Sequence, residues 1–272
     1  MLGLLGLPAR SSLGPGSGWL YARGMCGRFV SAADLDAVAA YFDTPMPGFD
    51  APRSYNVAPT TDIVAVVGGP DSRRLETFRW GLVPRWSPDP AKGPPLFNAR
   101  SETAATKNSF RGPFKRRRCI VPADGFYEWP PAPPGTSRDE RPLPHYITRS
   151  DGGMLAMAGL WERWSPPQDA GDDSADDNSG GAVRKVLHSA TVLTTAANDF
   201  MAPIHHRMPV MLERDAWDAW LDPSNDDADE LAAMCVPAAE AILRSHQVGR
   251  AVGNVGNRDA SLVDPLESDQ LF

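Results

Sequence analysis

Cys119-Ile120-Val121-Pro122-Ala123-Asp124-Gly125-Phe126-Tyr127-Glu128-Trp129 reads as a strand interrupted by a turn. Side chains alternate across a strand, so Glu128 shares a face with Phe126 and opposes Tyr127 and Trp129. A carboxylate in an aromatic strand is either a rim residue or a buried group with a raised pKa suited to proton transfer, and the stretch leaves both readings open.

Upstream of this strand, Phe97-Asn98-Ala99-Arg100-Ser101-Glu102-Thr103 follows a Pro-rich loop, and Phe78-Arg79-Trp80-Gly81-Leu82-Val83-Pro84-Arg85-Trp86 precedes that loop. Trp80 and Trp86 among Arg79, Arg85 and Arg100 form the aromatic and basic mixture that stacks bases and holds phosphates in single-strand sites, although tryptophans in short strands are more often core. Ser54-Tyr55-Asn56-Val57-Ala58-Pro59-Thr60 is turn-rich and leads into an apolar strand, Ile63 to Val67. Ser31 to Phe42 has helical spacing, with Ser31 as the expected cap and Leu35, Val38, Ala39 and Phe42 on one face.

Downstream, a Pro-rich loop (130 to 144) leads to an expected strand pair around Tyr146-Ile147 and Met154 to Trp161. Residues 165 to 183 are rich in Asp, Gly and Ser, with no core-forming side chain until Val183, and read as a disordered acidic insertion. Val192 to Asn198 is a strand leading to Pro203-Ile204-His205-His206-Arg207-Met208-Pro209-Val210-Met211-Leu212. Arg214 to Leu221 and Asp229 to Cys235 are short helices, and a last strand with coil is expected beyond Gln247. Adjacent histidines on a strand point in opposite directions, and no third ligand stands at a metal-site spacing, so no metal is expected. A single histidine serving as acid or base near neutral pH fits better.

The chain has 272 residues and 42% hydrophobic content, enough for one domain with a sizeable core. Three widely separated cysteines, Cys26, Cys119 and Cys235, suggest no disulfide framework or metal knuckle and fit a reducing compartment. The net charge of -7 is unevenly spread. Five aspartates fall within residues 169 to 177, and a second acidic run spans Asp222 to Glu230. Between Arg100 and Arg118, by contrast, Lys107, Arg111, Lys115, Arg116, Arg117 and Arg118 face only Glu102. Such a basic run either steers a phosphate backbone or is a solvated surface.

Residues 1 to 24 show no helical or strand period, and their apolar run is too short to span a bilayer, so they read as a disordered extension or a start placed too early. Met25-Cys26 comes next. Cys26 is either a small buried hydrophobe that happens to follow a methionine or, since methionine is usually trimmed when the next side chain is small, the first residue of a mature chain with a free α-amine beside its thiol. Such a 1,2-aminothiol forms an imine with an aldehyde and closes it to a thiazolidine. With the amine titrating near ~8 and the thiol near ~8.5, both nucleophilic forms are present at neutral pH.

Taken in order, MCGRF (25 to 29), YNVAPT, RWGLVPRW, FNARSET, RCIVPADGFYEW and IHHRMPVML resemble the SOS-response-associated peptidase family of abasic-site processing proteins, from Met25 to about Leu266. The resemblance implies an α+β fold: a bifurcated, mainly antiparallel sheet forming a partly closed barrel, surrounded by short helices, in a single domain over residues 25 to 266 with a tail at 267 to 272. It implies binding of single-stranded DNA with abasic sites and a covalent thiazolidine crosslink, which is lyase-type chemistry with self-processing peptidase activity at the amino terminus. By motif, Cys26 is the nucleophile, Asn98 holds the terminal amine or the sugar oxygens, Glu128 shuttles protons, and His205 protonates the sugar ring oxygen. Arg28, Arg100 and Arg207 pair with phosphates, Trp80, Trp86 and Trp129 line or wedge the strand, and Pro59 joins them at the DNA. No cofactor, metal or membrane is implied. A cytoplasmic monomer, associated with the nucleoid when bound to DNA, is expected. The 24 residues ahead of Met25 depart from the family pattern, since an amide at Cys26 cannot form the imine. Two alternatives remain: a thiol or amino-terminal-nucleophile peptidase with His205 as base, and a single-strand DNA binding module without covalent chemistry.

Overall fold

A computed structural model describes residues 27–69, 71–137, 139–166 and 186–266. Among them are twelve strands: β1 (Phe29–Ser31), β2 (Ser54–Val57), β3 (Asp62–Val67), β4 (Arg74–Trp80), β5 (Asn98–Arg100), β6 (Arg118–Ala123), β7 (Gly125–Glu128), β8 (His145–Arg149), β9 (Leu155–Trp164), β10 (Leu187–Ala196), β11 (Arg207–Pro209) and β12 (Leu243–Gln247). Five short helices join them: α1 (Leu35–Tyr41), α2 (Ser101–Ala104), α3 (Arg111–Arg116), α4 (Trp217–Leu221) and α5 (Ala228–Ala233).

The barrel closes through β10. Going round, β10 pairs with β4, β4 with β3, β3 with β6, β6 with β9, and β9 with β10 again. Each edge of β10 then passes to a second partner. On one, the parallel pairing with β4 ends at Ala190, and β5 takes over with Val192 opposite Asn98. On the other, β9 is paired as far as Val192, and β11 is paired from Thr194 to Ala196. This branching is the expected bifurcation. A second sheet runs in the order β12-β8-β7-β1-β2.

Strand alternation sorts the core into layers. Ile63, Ala65 and Val67 of β3, Cys119 and Val121 of β6, Leu155 and Met157 of β9, and Ala190 and Val192 of β10 line one face of the barrel wall, together with Phe29, Phe126 and Ile147 from the second sheet. On the wall's other face, Val66, Ile120, Ala158, Leu160 and Leu193 meet Val38 and Phe42, Phe114, Trp217 and Trp220, and Leu231 from the helical regions. The far side of the second sheet, with Val30, Tyr127 and Tyr146, is covered by Val248, Val252 and Leu262.

The turn within 119–129 hands the chain from barrel to second sheet: β6 belongs to the first and β7 to the second. Asp124 sits at the crossing, and its carboxylate accepts the amides of Ala32 (2.7 Å) and Ala33 (3.1 Å). Gly125 is required by close approach, since a Cβ there would lie 2.5 Å from the Tyr146 ring and 2.6 Å from the Ile147 carbonyl oxygen.

Three expectations are corrected. Ser31 does not cap a helix: residues 29 to 31 are drawn into pairing with β2 and β7, and α1 begins only at Leu35. Its expected apolar face is present, with Val38, Ala39 and Phe42 buried. The segments around Tyr146 and Met154 to Trp161 are strands but not a pair, because β8 joins β7 and β12 while β9 joins β6 and β10. The last strand is β12, before rather than beyond Gln247, and the chain after it forms 3-10 turns at Arg250–Gly253 and Ala260–Val263. Residues 1 to 24, most of the acidic insertion and the tail from 267 lie outside the described residues.

Candidate active site and single-strand interface

The segments that carry Asn98, Glu128 and His205, and the strand that begins three residues after Cys26, each send an apolar side chain into one cluster. Phe29, Phe97, Phe126 and Ile204 all belong to, or pack against, the cluster inside the barrel. They stand next to or two residues from Gly27, Asn98, Glu128 and His205. The gathering is direct on one side: the Phe29 ring meets Trp80 edge-on at 5.0 Å, Trp80 meets Phe97 at 5.9 Å, and the Trp80 indole N–H donates to the Phe97 carbonyl at 2.8 Å. The amino-terminal strand and the segment that opens β5 are thus held together by one buried tryptophan.

Glu128 is 4% exposed, so its carboxylate is buried and is not a rim residue. Phe126 faces the barrel cluster while Tyr127 and Trp129 face the opposite one, as the alternation requires. The antiparallel register of β1 against β7 pairs Phe29 with Phe126 and Val30 with Gly125, and the Tyr127 amide donates to the Arg28 carbonyl at 3.0 Å. Continuing that register sets Gly27 level with Glu128. Cys26 itself lies outside the described residues.

His205 is half-buried just ahead of β11, and its Nδ1 lies 3.2 Å from both the amide nitrogen and the carbonyl oxygen of Arg207. As an acceptor from the amide, Nδ1 leaves the proton on Nε2. As a donor to the carbonyl, it leaves Nε2 a base. Either tautomer is held, which leaves Nε2 able to donate in one and accept in the other. Burial lowers the His205 pKa, with smaller contributions from the charges of His206 and Arg207 against a backbone hydrogen bond that raises it. His206 is exposed, its ring centroid 4.4 Å from that of His205. Among the described residues, no group of three or more His, Cys, Asp or Glu is arranged to hold a metal.

The arginines carried over as phosphate partners divide by environment. Arg100 is exposed at the end of β5. Arg28 is half-buried, and its Nη1 donates to Asn56 Oδ1 (3.0 Å) and the Val252 carbonyl (2.9 Å). Asn56, 1% exposed, in turn donates to the carbonyls of Val252, Asn254 and Asn257. Arg207 is buried: its Nη2 donates to the Thr194 carbonyl at 2.6 Å and to Glu102 Oε2 at 2.8 Å, and its Nη1 pairs with the other Glu102 oxygen. Its charge is therefore largely neutralised inside the protein. Glu102 was visible in the sequence only as the lone acid of a basic run. Its place in FNARSET, two positions past Arg100, gave no hint of a partner 105 positions on.

The tryptophans divide as well. Trp80 is fully buried in the core, with no surface to offer a base, so its expected place along a DNA strand gives way to a packing role. Trp86 is 63% exposed and lines a cavity of about 340 Å³ with Asn108 and Arg111. Trp129 is partly buried against the cluster on the far side of the second sheet, and Pro59 is partly buried ahead of Thr60. The basic run is mostly spoken for. Arg118 is buried and donates to the carbonyls of Phe114, Lys115, Trp220, Asp222 and Asn225. Arg117 pairs with the buried Glu162, and Lys115 with Asp226 of the second acidic run.

Comparison with known proteins identifies the family. Residues 25–255 match the family described as SOS response associated peptidase (SRAP). The chain belongs to the SRAP family. Among SRAP relatives it is 34% identical over 242 residues to abasic site processing protein YoqW of Bacillus subtilis, spanning 88% of this chain and 99% of that protein. It is 32% identical over 250 residues to abasic site processing protein YedK of Escherichia coli, spanning 89% and 100% respectively. A solved structure from Bordetella bronchiseptica superposes with a TM-score of 0.65 at 26% identity, covering 82% of this chain and all of that one. A Bacteroides thetaiotaomicron structure shares the fold at a TM-score of 0.68 and 23% identity, covering 89% of this chain and all of that one. Among the described residues no helix of this SRAP chain is long and apolar enough to cross a membrane.

Proposed function

We propose that this protein recognises abasic sites in single-stranded DNA and traps them covalently through Cys26. The observation that carries the reading is the buried carboxylate of Glu128 at the end of β7, the strand paired with β1, which begins three residues after a cysteine suited to aldehyde capture. In the proposed reaction His205 protonates the ring oxygen of the abasic sugar, opening it to the aldehyde. The Cys26 α-amine adds to that carbonyl, and loss of one water gives the imine, with Glu128 moving the protons. The thiolate then attacks the imine carbon, the thiol proton passes to nitrogen, and the thiazolidine closes. Asn98 holds the amine or the sugar oxygens from the start of β5. Arg100, Trp86 and Trp129 carry the strand, with the partly buried Pro59 and Arg28 at its margin.

This chemistry needs a free amine, so the working protein begins at Cys26, by translation from Met25 or by cleavage after it. The names of the curated relatives support the DNA-lesion part of the reading. We further propose lyase-type and self-processing activity at the amino terminus, a monomeric state, and a cytoplasmic location with nucleoid association when bound to DNA. The test is denaturing electrophoresis of the protein beginning at Cys26 after incubation with an abasic single strand. A heat-stable adduct is expected from wild type and none from Cys26→Ala, with non-covalent binding retained. An undiminished adduct in Cys26→Ala would overturn the reading.

A further inference from the structure

The register of the second sheet sets a histidine beside Glu128 that the family resemblance does not use. Glu128 of β7 is directly opposite His145 of β8, and His145 is directly opposite Gln247 of β12. Opposite residues of an antiparallel pair point to the same face, with about 4.5–5.5 Å between Cβ atoms. The neighbouring pair confirms the face, since Phe126 and Ile147 both lie in the barrel cluster. A row of polar groups therefore crosses the end of the sheet, from Glu128 through His145 to Gln247. Exposure rises along it: Glu128 is buried, while His145 and Gln247 are half-buried.

We infer that His145 is a positioning residue for Glu128, a proton port through which the buried carboxyl exchanges protons with solvent. The inference rests on the acid–base role proposed for Glu128. A carboxyl cut off from water has to regain its starting protonation state after each transfer, and the group next to it on the path outward has to accept and release protons near neutral pH. His145 Nδ1 lies 3.5 Å from Ser245 Oγ, and with the ring proton donated there, Nε2 presents a lone pair. One proton then moves from the Glu128 carboxyl to Nε2 and leaves the imidazolium for water, and no electrons change hands. The groups facing His145 are Glu128 from β7, and Ser245 and Gln247 from β12. His246, also on β12, donates its Nε2–H to the Val263 carbonyl (2.8 Å) on the other face. Burial, and secondarily the charge of His246, keep the His145 pKa below its ordinary value, so the ring returns to its neutral form at pH 7.

The test uses the full chain beginning at Cys26, with crosslinking to an abasic single strand followed under single-turnover conditions across roughly pH 5–8, where histidine titrates. For His145→Gln and His145→Phe the expected result is a crosslinking rate lower by about tenfold, less than the ~10²–10⁴-fold expected on removing the acid/base itself. DNA affinity and thermal midpoint should stay as in wild type, the pH profile should change shape, and added imidazole should restore the rate. In a Glu128→Gln background, His145→Gln should add nothing. Unchanged rate and pH profile in both His145 variants would overturn the inference. So would a rate loss matched by loss of DNA affinity or thermal midpoint, which marks a structural role. A wild-type rate in Glu128→Gln alone would instead remove the role of Glu128 itself.

Discussion

Replacing Glu102 with glutamine should destabilise the protein and disturb the site together, because this carboxylate stands behind Arg207 and Arg207 stands behind His205. The Arg207 side chain is one-tenth exposed and the Glu102 side chain half exposed. Breaking a fully buried ion pair costs ~3–5 kcal/mol, but water can reach the Glu102 side and the Thr194 carbonyl keeps one guanidinium bond. About 2 kcal/mol is therefore expected, or roughly 4–8 °C in thermal midpoint for a domain of this size. The loss should depend on pH in a defined direction. The hydrogen bond from Arg207, opposed by partial burial, holds the Glu102 carboxyl below its ordinary pKa. A group depressed in the folded state stabilises above its unfolded pKa and loses that contribution as pH falls through the folded one. The difference between wild type and Glu102→Gln should thus be full at neutral pH and begin to close below about pH 4. Urea melts at several pH values read the stability, and the crosslinking rate reads the effect on His205. Equal stability of the two proteins at neutral pH would refute the account of this pair.

Arg100→Ala should flatten the dependence of DNA affinity on salt by about 0.7–0.9 in log–log slope, the share of a single phosphate, while Arg207→Ala should chiefly lower stability, both read by anisotropy and melting. Trp86→Ala should weaken single-strand binding by ~1–3 kcal/mol with little change in stability, and Trp80→Ala should cost ~3–5 kcal/mol of stability. Deleting residues 169 to 181 should leave crosslinking intact, because Trp164 opposite Leu187 fixes both ends of the connection and its shortening alters closure entropy by only about 1 kcal/mol.

What could be read from the sequence was local and periodic. The alternation of Phe126, Tyr127, Glu128 and Trp129, the strand after Asp62, and the apolar face of Val38, Ala39 and Phe42 follow from spacing alone. The identity of the fold came through motifs taken together, not through any one of them. Long-range pairing was hidden. Nothing near Ser31 announces that Asp124 will take the amides of Ala32 and Ala33 and that β2 and β7 will claim the residues before them. The same holds for charge: Arg118 and Arg207 look like surface cations until carbonyls and a carboxylate from about a hundred positions away surround them. Trp80 misled for a related reason, since composition describes a tryptophan beside arginines but not the Phe29 and Phe97 rings that enclose it. His145 went unremarked in the sequence, and its place opposite Glu128 appeared only with the register of β7 and β8.

The central claim is that a free amine and a thiol on Cys26 act together on the aldehyde of an abasic site, and intact mass tests it most directly. Protein beginning at Cys26, incubated with an abasic single strand, should gain the mass of the oligonucleotide less one water. A parallel chain shown by mass to retain residues 1 to 25 should bind the strand and remain unmodified. A stable adduct with the same gain in mass on that longer chain would contradict the mechanism.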